Sequence, residues 1–188
     1  MISSAEDDLA QRLTRVEDTL AIQQLPIRYA LAVDQRDVDE WVGLFEADVV
    51  LGGGLTGREA LCGSITPLLR HFYRSIHQIV GHRVELIDGT HARGNVYCRA
   101  EHEVGGRWIV MAIRYDDHYV KVDGQWFFAR RKERHWYAAG IDEHPQLVSF
   151  DSWGEPDVPP GLPQHAASWA AFWAGVDTAD VTSAPVHG

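Results

Sequence analysis

The chain has 188 residues, of which 17 are Lys or Arg and 27 are Asp or Glu, so its formal net charge is −10. This length is typical of one domain with a single core, and the acidic balance makes nucleic acid and anionic membranes poor partners. Seven Trp, six Tyr, six Phe and 10 His are more rings than a core of this size needs. They indicate an aromatic-lined cavity.

The two cysteines, Cys62 and Cys98, exclude a disulfide-rich scaffold and have no zinc-binding spacing. The acidic start of the chain lacks the apolar stretch of a signal peptide, and no apolar run approaches the roughly 18 residues of a membrane span. We therefore expect a cytoplasmic protein that binds neither membranes nor nucleic acid.

Helix signals dominate the first 75 residues. A capping box at Ser3 precedes four apolar residues at helical spacing, which are Leu9, Leu13, Val16 and Leu20. A second apolar stripe ends at Asp34. Pro26 lies within it and predicts a kink or a new helix, because proline lacks an N–H.

Two further capping boxes, at Asp37 and Thr56, predict shorter helices. The second of these helices contains Gly63 and Pro67, which predict a break in it.

Later residues favour strands, with predicted bounds of Arg83–Ile87, His91–Val104, Arg107–Val122 and Gln125–Tyr137. Gly105-Gly106 and Asp123-Gly124 are two-residue links of the kind that close hairpins. Helices followed by an antiparallel meander predict an α+β domain over residues 1–137, whose curved sheet encloses a pocket.

Residues 138–188 form a predicted extension rich in Pro, Gly and Asp, with a short helix at Ala166–Gly175. This helix is interpreted as a segment docked on the core or a neighbouring subunit, or as a lid over the cavity. We favour docking, because chain ends are commonly tied down in this way.

Familiar catalytic motifs are missing from the sequence: it has no P-loop, dinucleotide fingerprint, HExxH or GxSxG pattern. The histidines form no recognisable ligand cluster, so we expect neither a metal nor another cofactor.

Asp34 is a candidate site residue because it ends an apolar stripe, where aspartate is rare unless it is paired. A simple turn aspartate is the more common explanation. Tyr29 lies a little over one turn earlier on roughly the same side, and is equally consistent with a core residue.

Two histidines are further candidates, although a lone histidine is more often structural. His77 is flanked by isoleucines. His102 falls on the inward face of its predicted strand with Val96, Cys98 and Ala100 by period-2 alternation. Pairing across the Gly105-Gly106 turn places Met111, Ile113 and Tyr115 on the same face. Desolvation there would perturb the pKa of His102.

The segments 21–37, 41–45, 48–51 and 57–61, with the strand around Trp126, resemble the SnoaL-like branch of the NTF2-like superfamily. The resemblance covers roughly residues 8–137 and implies a cone-shaped α+β barrel. Within the superfamily the chain is most similar to the scytalone dehydratase, bile-acid 7α-dehydratase and hexachlorocyclohexane dehydrochlorinase group.

That group uses an Asp–His dyad, and the resemblance assigns it to Asp34 and His77. It also implies that Tyr29 and His102 are catalytic. A basic residue from the last strands has no secure match, with Arg131 and His135 as candidates.

The resemblance implies a dehydratase that needs no metal or organic cofactor. The apolar and aromatic residues indicate a hydrophobic cyclic substrate, such as a steroid, polyketide or terpenoid. We expect that substrate to contact Trp41, Phe45, Phe72, Tyr73, Met111, Ile113 and Tyr115.

Three alternatives stay open: an isomerase or cyclase with the same dyad, a non-catalytic module such as a ring-hydroxylating dioxygenase small subunit, and a hydrolase. The fold often self-associates through the outer face of its sheet, to which Trp108 and Val110 are assigned. We therefore expect a homodimer or homotrimer.

Overall fold

A computed structural model describes residues 2–145 and 166–177. In chain order the helices are α1 (Ile2–Gln35), α2 (Val38–Gly43), α3 (Gly57–Leu69) and α4 (Ala167–Trp173), with a short 3-10 turn at Gly52–Gly54. The strands are β1 (Arg74–Leu86), β2 (His91–Val104), β3 (Arg107–Val122) and β4 (Gln125–Gly140). Of the predicted C-terminal extension, residues 146–165 and 178–188 lie outside the described residues.

The first two predicted helical segments form one helix, α1, so no new helix begins at Pro26, and the predicted kink there stays a prediction. The helix already contains Ser3, so this residue is not its N-cap. Pro26 removes one backbone hydrogen bond, to the carbonyl of Ile22. Ile22, Leu25 and Pro26 are all buried, and this packing holds the helix together on both sides of the proline.

The two shorter helices follow their predicted starts. The Asp37 side chain accepts a hydrogen bond from the backbone N–H of Glu40 at 3.0 Å, as a capping box requires. Thr56 is the N-cap of α3 without a side-chain bond. The predicted break in α3 is wrong. The helix runs through Pro67 because its buried face, Leu61, Ile65 and Leu69, is anchored in the core.

The four strands form one antiparallel sheet in the order β1-β2-β3-β4. Both predicted two-residue hairpins are present, and Gly105, Gly106, Asp123 and Gly124 all have positive φ angles, as type I′ turns require.

The strand β1 starts at Arg74, nine residues before its predicted start at Arg83, whereas β2 and β3 match their predicted bounds. His77 therefore lies on a strand. The inward direction predicted for His102 is confirmed, since it is buried in one row with Val96 and Ala100.

The helices α1, α2 and α3 pack on one face of the sheet, and the main core lies between the two layers. On the other face, α4 lies beside a groove formed with Tyr97, Arg114 and Trp136. These three residues alternate with the inward-facing side chains of their strands. Among the helices of the described residues, none is long and apolar enough to cross a membrane.

Candidate active site

The last turn of α1 and the start of β1 bring Asp34 and His77 together. The Nδ1 atom of His77 lies 2.7 Å from Oδ1 of Asp34. The backbone N–H of His77 donates to Oδ2 at 2.8 Å, and the hydroxyl of Ser75 donates to Oδ1 at 3.0 Å. One carboxylate thus holds both the ring and the backbone of the same histidine.

Burial acts to raise the pKa of Asp34, but the hydrogen bonds from the His77 ring and backbone outweigh it, and the net pKa is lowered. With Asp34 ionised, the shared proton resides on Nδ1 of His77. Its Nε2 atom then carries a lone pair and is able to accept a proton.

Arg36 fixes the connection between the helix end and the strand. It has a φ of 62°, the left-handed conformation that ends a helix sharply. Its guanidinium donates to the carbonyls of Val33 and Phe72 and, at 2.8 Å, to the Ser75 hydroxyl. The hydroxyl that Arg36 holds is the one that donates to Asp34, so Arg36 positions Asp34 indirectly.

His102 lies beside the dyad, on β2. Its ring contacts Phe72, with centroids 4.5 Å apart, and meets His77 edge to face at 5.3 Å. Burial, followed by the like charge that His77 would carry, lowers the pKa of His102 to about 3. His102 is therefore a neutral imidazole at ordinary pH.

Tyr29 lies on α1 at the inner end of the cavity, packed among aromatic rings. Burial is the main cause that raises its pKa to about 12, so the hydroxyl stays protonated. Behind it, the Arg131 guanidinium lies over the rings of Tyr29, Tyr115 and Phe128, 4.1–4.4 Å from their centroids.

Arg131 also forms a buried two-bond ion pair with Asp117, at 2.9 and 2.8 Å. It packs behind the cavity wall and does not line the cavity, unlike the second basic candidate, His135.

Glu133 and His135 line the cavity from β4, and Nε2 of His135 contacts Oε1 of Glu133. They pair with Tyr115 and Ile113, two inward-facing residues of β3. Glu133 was missed in the sequence because it stands in a run of charged residues typical of a solvent-facing strand. Period-2 alternation from the inward Arg131 was the signal that would have found it.

The cavity is lined by the candidates described above and by apolar side chains: Tyr29, Val33, Ile65, Leu68, Leu69, Phe72, His77, His102, Met111, Ile113, Tyr115, Glu133 and His135. Its volume is about 70 Å³. A cavity that holds benzene is roughly twice as large, at about 150 Å³. A steroid therefore does not fit within this space in the conformation described.

The seven predicted substrate-contacting residues separate into three groups. Four of them, Phe72, Met111, Ile113 and Tyr115, line the cavity. Trp41 and Phe45 are buried behind Tyr29, with ring centroids 5.6 and 6.5 Å from it.

Tyr73 is 82% exposed and lies outside the cavity, which corrects its predicted placement. Its backbone N–H bonds to the carbonyl of Glu103 beside the start of β1, so successive side chains alternate. Phe72 turns inward and Tyr73 turns outward.

Within residues 2–145 and 166–177, no group of three or more His, Cys, Asp or Glu side chains is placed to hold a metal ion. The residues that line the cavity include His77, His102, Tyr29 and the Glu133–His135 pair, whereas Asp34, the partner of His77, is not among them. His77 lies on β1 and His135 on β4, the two edge strands of the sheet. Such groups are suited to moving protons.

A profile of the SnoaL-like domain matches residues 14–132. The chain belongs to the SnoaL-like domain family. This SnoaL-like domain has the α+β cone fold of the NTF2-like superfamily, as the sequence predicts.

Relatives of this SnoaL-like domain include an uncharacterised protein of Mycobacterium tuberculosis. It is 28% identical over 129 residues, which cover 64% of this chain and 87% of that protein.

Two solved structures similar to the SnoaL-like domain come from Novosphingobium. A hexachlorocyclohexane dehydrochlorinase of N. barchaimii is 24% identical, with a TM-score of 0.62, covering 79% of this chain and 99% of that one. A candidate scytalone dehydratase of N. aromaticivorans is 24% identical, with a TM-score of 0.61, covering 70% and 93%. At this identity the likeness shows a shared fold.

Proposed function

We propose that this SnoaL-like domain is a dehydratase that acts on a small, mainly apolar cyclic substrate through the Asp34–His77 dyad. The observation that carries the proposal is the 2.7 Å contact between the two side chains at the wall of an apolar cavity. The cavity volume favours a single small ring over a steroid or a larger polyketide or terpenoid.

In the first step, Nε2 of His77 removes a proton from a carbon next to a carbonyl group. Asp34 stabilises the resulting imidazolium and holds the ring in the tautomer that the step requires. Because His102 stays neutral, the ring next to His77 does not repel the new cation. Tyr29 and His102 are both able to donate hydrogen bonds to the developing enolate.

In the second step, the enolate collapses to a carbon–carbon double bond, and the hydroxyl group on the next carbon leaves. His135, paired with Glu133 and present as an imidazolium, gives the departing hydroxyl the proton with which it leaves as water and becomes a neutral imidazole. At the end His77 has gained one proton and His135 has lost one, so transfer through solvent restores both. Side chains therefore carry out both proton transfers with the substrate, and solvent completes the cycle.

The base is tested without knowledge of the natural substrate. Cyclohexanone in D₂O exchanges its α-protons for deuterium when a base removes them, and NMR measures the rate. We expect exchange above the buffer rate for the native protein, and loss of this excess in His77→Gln and Asp34→Asn.

The chain offers a matched control. His91 and Asp88 form a pair at 3.1 Å in which both side chains are more than half exposed. His91→Gln should leave the exchange rate unchanged. Excess exchange that survives His77→Gln would contradict the proposal.

The complete reaction is tested on a panel of small cyclic β-hydroxy ketones, with mass spectrometry to detect loss of water. An isomerase or cyclase would return products of unchanged mass. A hydrolase would cleave esters in place of eliminating water. A non-catalytic ligand-binding module would bind the ketones, and the amount of product would be the same in His77→Gln as in the native protein.

A further inference from the structure

The N-terminal part of α1 has no covering layer. From Glu6 to Glu17 every side chain is exposed, a stretch of about 18 Å at 1.5 Å per residue. After this stretch the first buried residue is Asp18, which accepts hydrogen bonds from Lys121 and Trp126 at the end of the sheet. Short helical segments are marginal in water by themselves, so a partner that covered this part of α1 would stabilise it.

This exposed segment carries an apolar stripe, defined as Leu9, Leu13, Val16 and Leu20. These side chains are 63%, 55%, 54% and 54% exposed. Their spacing of four, three and four residues is that of alternating d and a positions of a heptad, the pattern with which one helix packs against another. The sequence identified the spacing as helical, but the sheet does not cover the stripe.

The charges beside the stripe select the partner. In this heptad Arg12 is a g position and Glu17 is the e position five residues later. When two identical helices pair in parallel and in register, g of one helix faces e of the other. Arg12 of each copy then meets Glu17 of the other. In an antiparallel pair g would face g, and Arg12 would not meet Glu17.

The C-terminal half of the stripe also borders an open groove. A groove of about 590 Å³ runs between α1 and the end of the edge strand β1. Val16 and Leu20 line one side of it, and Val84 and Leu86 line the other.

We propose that the apolar stripe pairs in parallel and in register with the stripe of a second copy of this chain, forming a homodimer. The interface is distinct from the outer sheet face around Trp108 and from the catalytic cavity.

Light scattering after size-exclusion chromatography tests the stoichiometry. We expect a mass of two chains for the native protein and of one chain for Leu13→Asp. Ile141→Asp changes an equally exposed apolar residue outside the stripe and should remain a dimer. A native monomer, a trimer, or a Leu13→Asp dimer would overturn the proposal. Loss of the dimer in Trp108→Ala alone would place the interface on the sheet.

Charge exchange tests the direction of pairing. Arg12→Glu and Glu17→Arg should each raise the dimer dissociation constant, and the double variant should restore it. A dissociation constant that stays raised in the double variant would contradict parallel pairing in register.

Cross-linking gives an independent test of the register. Leu13→Cys places the same a position of both helices face to face, so mild oxidation should link two chains. Gln11→Cys lies at the outward f position two residues earlier and should not link them. Equal linking of both variants would show random collision and would count against the proposal.

Discussion

The ring of His102 meets the ring of His77 edge to face, with 5.3 Å between their centroids. Two imidazolium ions at this distance would repel each other. Burial prevents this by lowering the pKa of His102 to about 3, so His102 stays neutral beside His77. In the proposed mechanism His77 is the proton acceptor and His102 is a neutral hydrogen-bond donor.

The suppressed charge of His102 makes stability depend on pH. Between pH 6.5, the ordinary pKa of histidine, and about 3, His102 is protonated in the unfolded chain but neutral in the folded chain. Stability should fall through this window by up to about 1.4 kcal/mol per pH unit. In His102→Gln, urea denaturation at several pH values should show a shallower slope.

His82 adds a similar but smaller effect, because burial lowers its pKa to about 4. The His82→Gln variant should flatten the dependence of stability on pH only above pH 4.

If stability fell with pH equally steeply in the native protein and in His102→Gln, His102 would not be a neutral buried imidazole.

Asp34 should contribute to stability in the opposite sense. Its lowered pKa means that the folded state favours the carboxylate. This contribution is present above the ordinary pKa of 3.8 and is lost as pH falls below it. Asp34→Asn should be less stable than the native protein at neutral pH, and the difference should shrink in acid. Thermal denaturation from neutral to acidic pH measures the difference in stability between the two proteins. A difference that does not change with pH would contradict an ionised Asp34.

The Arg131–Asp117 ion pair should be sensitive to removal of one partner. Arg131→Met leaves a buried carboxylate without its cation, at a cost of about 3–5 kcal/mol. Asp117→Asn with Arg131→Met removes both charges and should recover part of the loss. Urea denaturation of the single and double variants tests this, and strictly additive losses would argue that the two residues do not interact.

Phe72 and Tyr73 are neighbours in sequence with opposite environments. Phe72→Ala opens a void beside His102 and should lower the free energy of unfolding by about 3–5 kcal/mol. Tyr73→Ala changes an exposed side chain and should stay within about 0.5 kcal/mol. Chemical denaturation of both compares them, and equal losses would contradict the inward and outward placement.

The two proposed steps should separate by mutation. Glu133→Gln removes the partner of His135 but leaves Asp34 and His77 intact. Deuterium exchange into cyclohexanone should persist, while elimination of water from a β-hydroxy ketone should slow by about 10²–10⁴-fold. Parallel losses in both assays would mean that Glu133 acts through the structure of the cavity.

Local patterns were sufficient to predict much of the fold. The Gly105-Gly106 and Asp123-Gly124 links specify tight hairpins by themselves, and alternation along β2 then places His102 inward. The same logic works for Asp37, whose capping bond spans only three residues.

Long-range packing accounts for what the sequence did not predict. Pro26 is a helix breaker in isolation, and only burial of its neighbours keeps α1 continuous. Glu133 lies in a charged run, and its direction depends on pairing with Tyr115 on another strand. The small cavity volume also depends on side chains from distant segments, which no count of aromatic residues specifies.

The three hydrogen bonds from Ser75 and His77 to Asp34 have a consequence for the evolution of this protein. In many enzymes the catalytic groups are strained, so mutations that improve durability reduce speed. In the proposed mechanism the bonds that prepare the base are also tertiary contacts joining the helix end to the first strand. Under that mechanism, selection for a faster catalyst and selection for a more durable one act in the same direction at Asp34.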